Sequence, residues 1–277
     1  MNPFQAGDDL RSIADEILAS KKYRKLGLTP ATVLDLLNTE FPLHHSQRDA
    51  LKEVRRKLHN IVAPYLGDPD YQDALEKLEE AYLKDRPEMV RAVCSSILSA
   101  HASTQERLDI LENFYPRLFA VTGKPEVILD LACGLNPLSF PWMGLHETIH
   151  YHAYDINQPR IDFINRFFKL QGLQQLATHE DILVNPPQIQ ADVAFFFKEA
   201  HRFEQRQRGC NLRFWQALRV HYLLVSLPTR SLNGKHRLLE GHRNMVYNII
   251  ISQPWKVTEI LFDNELVFCI DKSHDAS

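Results

Sequence analysis

Apolar positions fall into two regimes along the 277-residue chain, and the change comes near Gly123-Lys124-Pro125. Up to about residue 119 they recur at the three- and four-residue spacing of helices laid against a core. Breaks fall at Thr29-Pro30, Phe41-Pro42, Pro64, Gly67-Asp68-Pro69, Pro87 and Pro116. No stretch of that part reads as a strand. Leu51, Val54, Leu58 and Ile61 form an apolar stripe, while Arg48, Lys52, Arg55, Arg56 and Lys57 fill much of the remaining circumference. This segment predicts a helix with one apolar face and one basic face.

Beyond Pro125, short apolar runs alternate with helix-length segments, which is the pattern of a doubly wound α/β sheet. Strands are predicted at 127–131, 149–154, 177–180, 193–197 and 220–227. Two more, at 257–262 and 266–270, flank the turn-like Asp263-Asn264-Glu265 and predict an antiparallel hairpin closing the sheet. A parallel sheet ended in this way resembles the class I (Rossmann-like) fold of S-adenosylmethionine-dependent methyltransferases. The expected architecture has an all-helical N-terminal domain, residues 1–105, and a methyltransferase domain, residues 106–277.

Composition changes this picture little. Hydrophobic residues make up 44% and charged residues 24%, an ordinary globular balance, and a net charge of −3 means that any basic surface is local. Cys94, Cys133, Cys210 and Cys269 form no CxxC pair, which argues against zinc and disulfides and fits a reducing cytoplasm. The first residues lack a basic stretch followed by an apolar run, and no apolar run is long enough to cross a bilayer. His146, His150 and His152 lack a cysteine or carboxylate at matching spacing, so no metal is expected.

In open α/β sheets a ligand lies beyond the carboxyl ends of the strands. The first such turn is Asp130-Leu-Ala-Cys-Gly134-Leu-Asn136-Pro137, with small residues that let backbone approach a ligand. It lacks the G-x-G-x-x-G spacing of a dinucleotide site, so no pyrophosphate is expected. Asp155, 21 positions after Gly134, ends the second predicted strand where a carboxylate accepts from both hydroxyls of a ribose. Asp181, after the third, is placed to accept from an adenine amino group, with the Ile182 N–H donating to the ring. A single strand-end Asp is as often a helix cap or loop anchor. Three in this order outline an adenosine-shaped ligand without a phosphate.

At this point the chain resembles the aminoglycoside-resistance 16S rRNA guanine-N7 methyltransferases. The likeness rests on residues 129–138 (LDLACGLNPL) with Pro141-Trp-Met-Gly-Leu145, on His101-Ala-Ser-Thr-Gln-Glu-Arg107, on Tyr154-Asp-Ile156 and on Ser226-Leu-Pro-Thr-Arg-Ser-Leu232. It implies S-adenosylmethionine as cofactor and a helical N-terminal domain that docks on the assembled 30S ribosomal subunit. It also implies methylation of a guanine N7 in the decoding site, where the added bulk and charge block aminoglycosides. Carried over by motif, Arg107 pairs with the cofactor carboxylate, and His101, Ala102 and Ser103 line that end. Ala132 and Gly134 pack along the methionine part, Asp155 holds the ribose, and Asp181 with Ile182 reads the adenine. Phe197 borders the cofactor, Gln205 is a further contact, and Lys198 stands beside the target nucleotide.

Guanine N7 offers a lone pair at neutral pH, so transfer from a sulfonium needs no residue to remove a proton, and no general base is expected. N7 lies in the deep groove of an RNA helix, so the base must be unstacked or flipped. Phosphate contacts are expected from Arg48, Lys52, Arg55, Arg56 and Lys57. A second set comes from the basic loop of Arg230, Lys235 and Arg237, followed by Arg243 and Met245. Trp142 reads as core. The Asn185-Pro-Pro-Gln188 run resembles an amino-methyltransferase loop but precedes the fourth strand and lacks its aromatic, so it reads as a loop breaker. The alternatives are a methyltransferase of small molecules or other RNA, and a non-enzymatic RNA-binding module. A monomer is expected.

Overall fold

The computed structural model describes residues 7–63, 67–229 and 238–273. Helices α1 (Gly7–Ala19), α2 (Pro30–Glu40) and α3 (Gln47–Val62) come first, followed by α4 (Tyr71–Leu83), α5 (Pro87–Leu98), the short α6 (Ala102–Gln105) and α7 (Leu111–Thr122). Their starts follow local chemistry. The side chains of Thr29, Ser46 and Asp70 accept backbone N–H groups at the starts of α2, α3 and α4, and Pro30 and Pro87 occupy first-turn positions that have no use for a donor.

A seven-stranded sheet follows: β1 (Val127–Leu131), β2 (His150–Asp155), β3 (Ala177–His179), β4 (Ala191–Phe197), β5 (Val220–Pro228), β6 (Lys256–Leu261) and β7 (Glu265–Asp271). The spatial order is β3-β2-β1-β4-β5-β7-β6, parallel except for β7, which runs antiparallel to β5 and β6. The doubly wound sheet with its closing hairpin is therefore the one the pattern predicted. Helix α8 (Gln158–Leu170) joins β2 to β3, α9 (Ala200–Arg206) and α10 (Cys210–Ala217) lie between β4 and β5, and α11 (Leu239–Ile250) lies between β5 and β6. After β1 the chain takes a 3-10 helix, Asn136–Trp142, and not an α-helix. Pro141 explains this, because it removes a donor and clashes with an α-helical turn before it. Among the described residues no helix is long and apolar enough to cross a membrane.

The sheet alternates its side chains between two cores. Val193, Phe195 and Phe197 of β4 face one that includes Tyr115, Tyr151 and Phe168, and Ala194 and Phe196 face the other, with Phe203, Phe214 and Trp215. Helices α4 and α5 belong to the first of these cores, while a third core comprises residues from Ala14 to Val62 only. The cores thus divide between Val62 and Ala74, well before residue 105. The N-terminal lobe built on this third core lies directly against the sheet domain. The Gln158 N–H donates to the Gly27 carbonyl at 3.2 Å, and Leu28 forms an isolated bridge with Asn157.

Gly27 has φ +53°, and a Cβ there would meet Gln158 Cβ at 3.0 Å and Pro159 Cδ at 3.1 Å. Both the left-handed backbone and the close approach require glycine. Gly27→Ala is expected to destabilise the chain by about 1–3 kcal/mol in urea denaturation. Unchanged stability would contradict the tight seating of this lobe.

Candidate active site

The carboxyl ends of the parallel strands share one edge of the sheet, beneath a cavity of about 330 Å³, a size suited to a small ligand. Ala132, Asp155, Asp181, Ile182 and Gln205 of the expected cofactor residues line it, together with Arg56, Lys57, Asn60 and Ile61 of α3 and residues of α9. His101, Ala102, Ser103, Arg107, Gly134 and Phe197 lie outside that wall.

The turn after β1 is clamped to the end of β2. Ala132 and Gly134 both have left-handed φ, +52° and +53°. Gly134 takes this freely, whereas Ala132 is strained and held by its surroundings. The Cys133 N–H donates to the Tyr154 carbonyl at 2.9 Å and the Gly134 N–H to Asp155 Oδ2 at 3.0 Å. Asp155 Oδ1 also accepts from the Asn157 N–H at 2.9 Å, and Arg160 Nη1 donates to both carboxylate oxygens at 3.0 and 2.9 Å. Arg160 is buried, and its Nη2 reaches Asp68 Oδ1 at 2.8 Å, where the His101 ring also hydrogen-bonds. His101 therefore reaches the site through Asp68 and Arg160.

Asp181 is buried and its carboxylate is nearly filled. Oδ2 accepts from Thr32 Oγ1 and from Arg206 Nη1, each at 2.7 Å, and Oδ1 accepts from the Leu183 N–H at 3.1 Å. A carboxylate offers about four acceptor sites, so one remains, on Oδ1.

Arg107 is bound to partners within the protein. Its Nη2 and Nε donate to Glu265 at 2.6 and 3.2 Å, and Nη1 donates to Asn136 Oδ1 at 2.8 Å. The guanidinium lies over the rings of Phe114 and Phe197, 4.4 and 4.6 Å from their centroids. Two of its five N–H groups are left over from these bonds. Burial pushes the Glu265 carboxyl up, but Arg107 and Lys198 outweigh it and hold the group below its ordinary range. Lys198, in a left-handed conformation at φ +61°, donates to the Ser103 carbonyl at 3.1 Å and to Glu106 at 2.6 Å. Its ammonium is thus held by acceptors within the protein.

The expected RNA contacts divide similarly. Arg48, Lys52, Arg55 and Arg56 are exposed on α3, Arg56 with an ion pair to Glu53. Lys57 is withdrawn into a 2.6 Å pair with Glu40, and Arg243 is held by Glu259 at 2.8 Å and Glu240 at 2.8 Å. Met245 packs partly buried against the second core. Arg230, Lys235 and Arg237 lie outside the described residues.

Sequence reasoning missed Thr32, Asp35, Asp68, Arg160, Arg206 and Glu265. Only Arg160 carried a local signal, being a cation in the first turn of α8, where the helix dipole disfavours one.

Comparison with known proteins adds to this geometry. The model of the family described as ribosomal RNA methyltransferase (FmrO) matches residues 19–269. The 16S rRNA (guanine(1405)-N(7))-methyltransferase of Frankia casuarinae is 30% identical over 271 residues, 96% of this chain and 94% of that protein. The protein of the same name from Micromonospora echinospora is 29% identical over 269 residues, covering 96% and 97%. Among solved structures, the 16S rRNA methyltransferase RmtF in complex with S-adenosyl-L-homocysteine superposes with a TM-score of 0.76. It is 27% identical, over 96% of this chain and 99% of that one.

A buried carboxyl below the β1 turn supplies the test of this site's electrostatics. Burial pushes Asp130 up to about 7, only partly opposed by hydrogen bonds from Asn136 Nδ2 at 3.0 Å and the Tyr151 hydroxyl at 2.7 Å. The folded chain therefore keeps a proton that the unfolded chain releases near pH 4, so stability falls as pH rises from about 4 to about 7. One such group contributes a slope of at most about 1.4 kcal/mol per pH unit. Asp130→Asn keeps an acceptor for both donors and is expected to remove that part of the slope in denaturation curves at pH 5 and pH 7. Parallel curves for the two proteins would contradict it.

Proposed function

Since the chain belongs to the ribosomal RNA methyltransferase (FmrO) family, we propose that it methylates N7 of a guanine in the decoding site of 16S rRNA. In this reading it acts on the assembled 30S subunit and so confers aminoglycoside resistance. The fold is class I (Rossmann-like), with a helical N-terminal region, and the cofactor is S-adenosylmethionine. The observation that carries the reading is end-to-end similarity. Relatives bearing the guanine-N7 name align with 96% of this chain, its N-terminal helices included.

The cavity fits an adenosyl group on its own terms. It runs from the small Ala132 past Asp155 to Asp181 and Ile182, and Asp181 Oδ1 keeps one open acceptor for an amino group. When bound, the cofactor supplies a methyl group on a positively charged sulfur. The ribose hydroxyls would take the two acceptor sites on Asp155 that Arg160 Nη1 now fills, with Arg160 keeping its hold on Asp68. Arg107, to which the resemblance assigns the amino-acid end of the cofactor, keeps two N–H groups uncommitted by its bonds to Glu265 and Asn136. Lys198, fixed by Glu106 and the Ser103 carbonyl, sets the end of β4 against which the guanine is placed. No side chain takes a proton, because N7 attacks with its own lone pair. The protein contributes position, holding N7 in line with the methyl and sulfur.

Docking falls to the N-terminal helices within residues 1–105, and chiefly to the lobe ending at Val62, whose core is separate from that of the sheet. Its exposed Arg48, Lys52, Arg55 and Arg56 contact phosphates, and the Arg230, Lys235 and Arg237 stretch adds a second point of attachment. The enzyme acts as a monomer in the cytoplasm, where its ribosomal substrate resides.

Methyl transfer from labelled S-adenosylmethionine to small subunits, naked 16S rRNA and whole ribosomes, followed by mapping of the modified base, tests the reading. We expect label on one decoding-site guanine N7 in small subunits. Replacing Arg48, Lys52 and Arg55 by Gln should reduce the salt dependence of subunit binding, by about one unit of log–log slope for each phosphate these cations neutralise. No label in any RNA, despite cofactor binding, would overturn the substrate assignment.

A further inference from the structure

Thr32 and Asp35 stand one turn apart on α2, on the same face of the helix. Both meet the site on the sheet domain. Thr32 Oγ1 donates to Asp181 Oδ2 at 2.7 Å, across 149 residues of sequence, and Thr32 is fully buried. Arg206, at the end of α9, bridges Asp181 with Nη1 and Asp35 with Nη2, both at 2.7 Å. Behind Thr32, the Thr29 hydroxyl lies 2.8 Å from Thr32 Oγ1 and accepts the Thr32 N–H at 3.3 Å. Because Thr32 donates its proton to Asp181, Thr29 is the donor to Thr32. The result is a one-way chain from Thr29 through Thr32 to Asp181, each bond strengthening the next.

We infer that Thr32 and Arg206 are positioning residues for adenine recognition, so the N-terminal lobe forms part of the cofactor site as well as the docking surface. Their two donors occupy Oδ2 and fix the carboxylate plane. The remaining acceptor on Oδ1 then points in one direction only, toward an amino group in the cavity that Arg206 itself lines. Without Thr32 the carboxylate keeps its bonds to Arg206 and the Leu183 N–H but loses one of the two donors on Oδ2, so its plane is less firmly set and selectivity for the 6-amino group declines. The inference rests on the reading of Asp181 as the adenine acceptor.

The test is calorimetric titration of the full chain with S-adenosyl-L-homocysteine and with its deaminated analogue, S-inosyl-L-homocysteine, which presents a carbonyl in place of the amino group. Wild type is expected to prefer the adenosyl compound. Thr32→Val, close in shape but without the hydroxyl, should weaken adenosyl binding about 3- to 10-fold, the effect of removing one hydrogen bond. It should leave inosyl binding nearly unchanged, so the ratio of the two affinities falls. Thr32→Ser should restore the ratio. A purely structural role would weaken both ligands together, and that result, or an unaltered ratio in Thr32→Val, overturns the inference. Should Thr32→Val not fold, Asp35→Asn, which loosens Arg206 from the other side, is held to the same ratio. A wild-type protein that binds both ligands equally, or neither, would instead refute the reading of Asp181.

Discussion

Charges buried at the carboxyl edge of the sheet have to be neutralised inside the protein, and this requirement organises the molecule. Asp155, Asp181 and Glu265 are nearly inaccessible to water, as are Arg107 and Arg160. An isolated buried ion costs several kcal/mol, so each of these groups is stable only with its partner in place. Arg160 pairs with Asp155 and Asp68, Arg107 with Glu265, and Arg206 with Asp181 and Asp35. Asp35 belongs to the N-terminal lobe and Asp68 to the segment that follows it. Neutralising the sheet's edge therefore closes the helical part of the chain over it.

That closure has a functional consequence. A ligand entering the cavity meets acceptors already oriented by existing hydrogen bonds, and little reorganisation is left for the moment of reaction. Catalysis by placement suits such a site, because a nucleophile with a free lone pair asks for rigidity and no proton relay. The same α3 helix that presents exposed Arg48, Lys52 and Arg55 also walls the cavity through Asn60 and Ile61. In the proposed function, RNA docking and cofactor enclosure would share this one helix.

Much of the fold was legible from period alone. The runs at Val127–Leu131 and Val220–Pro228 are β-rich and bounded by loop residues, and their strands lie within a residue or so of where the pattern put them. Asp155 and Asp181 line the cavity because one ends β2 and the other closely follows β3, places that the strand pattern locates. The partners of these acids were not, since Thr32, Asp68 and Arg206 are brought to them by tertiary folding across long stretches of sequence. For the same reason Lys57 and Arg243 read as free cations although Glu40 and Glu259 hold them. Helical period also cannot say which core a helix joins, and so α4 and α5 were grouped with the N-terminal helices although they pack with the sheet.

The most direct test of the central claim is a crystal structure of this chain with S-adenosyl-L-homocysteine. The account predicts the ribose hydroxyls on Asp155, with Arg160 shifted but still bound to Asp68. It also places the adenine amino group on Asp181 Oδ1, with Thr32 and Arg206 still on Oδ2. A ligand bound elsewhere, or an adenine that leaves Asp181 untouched, would contradict it.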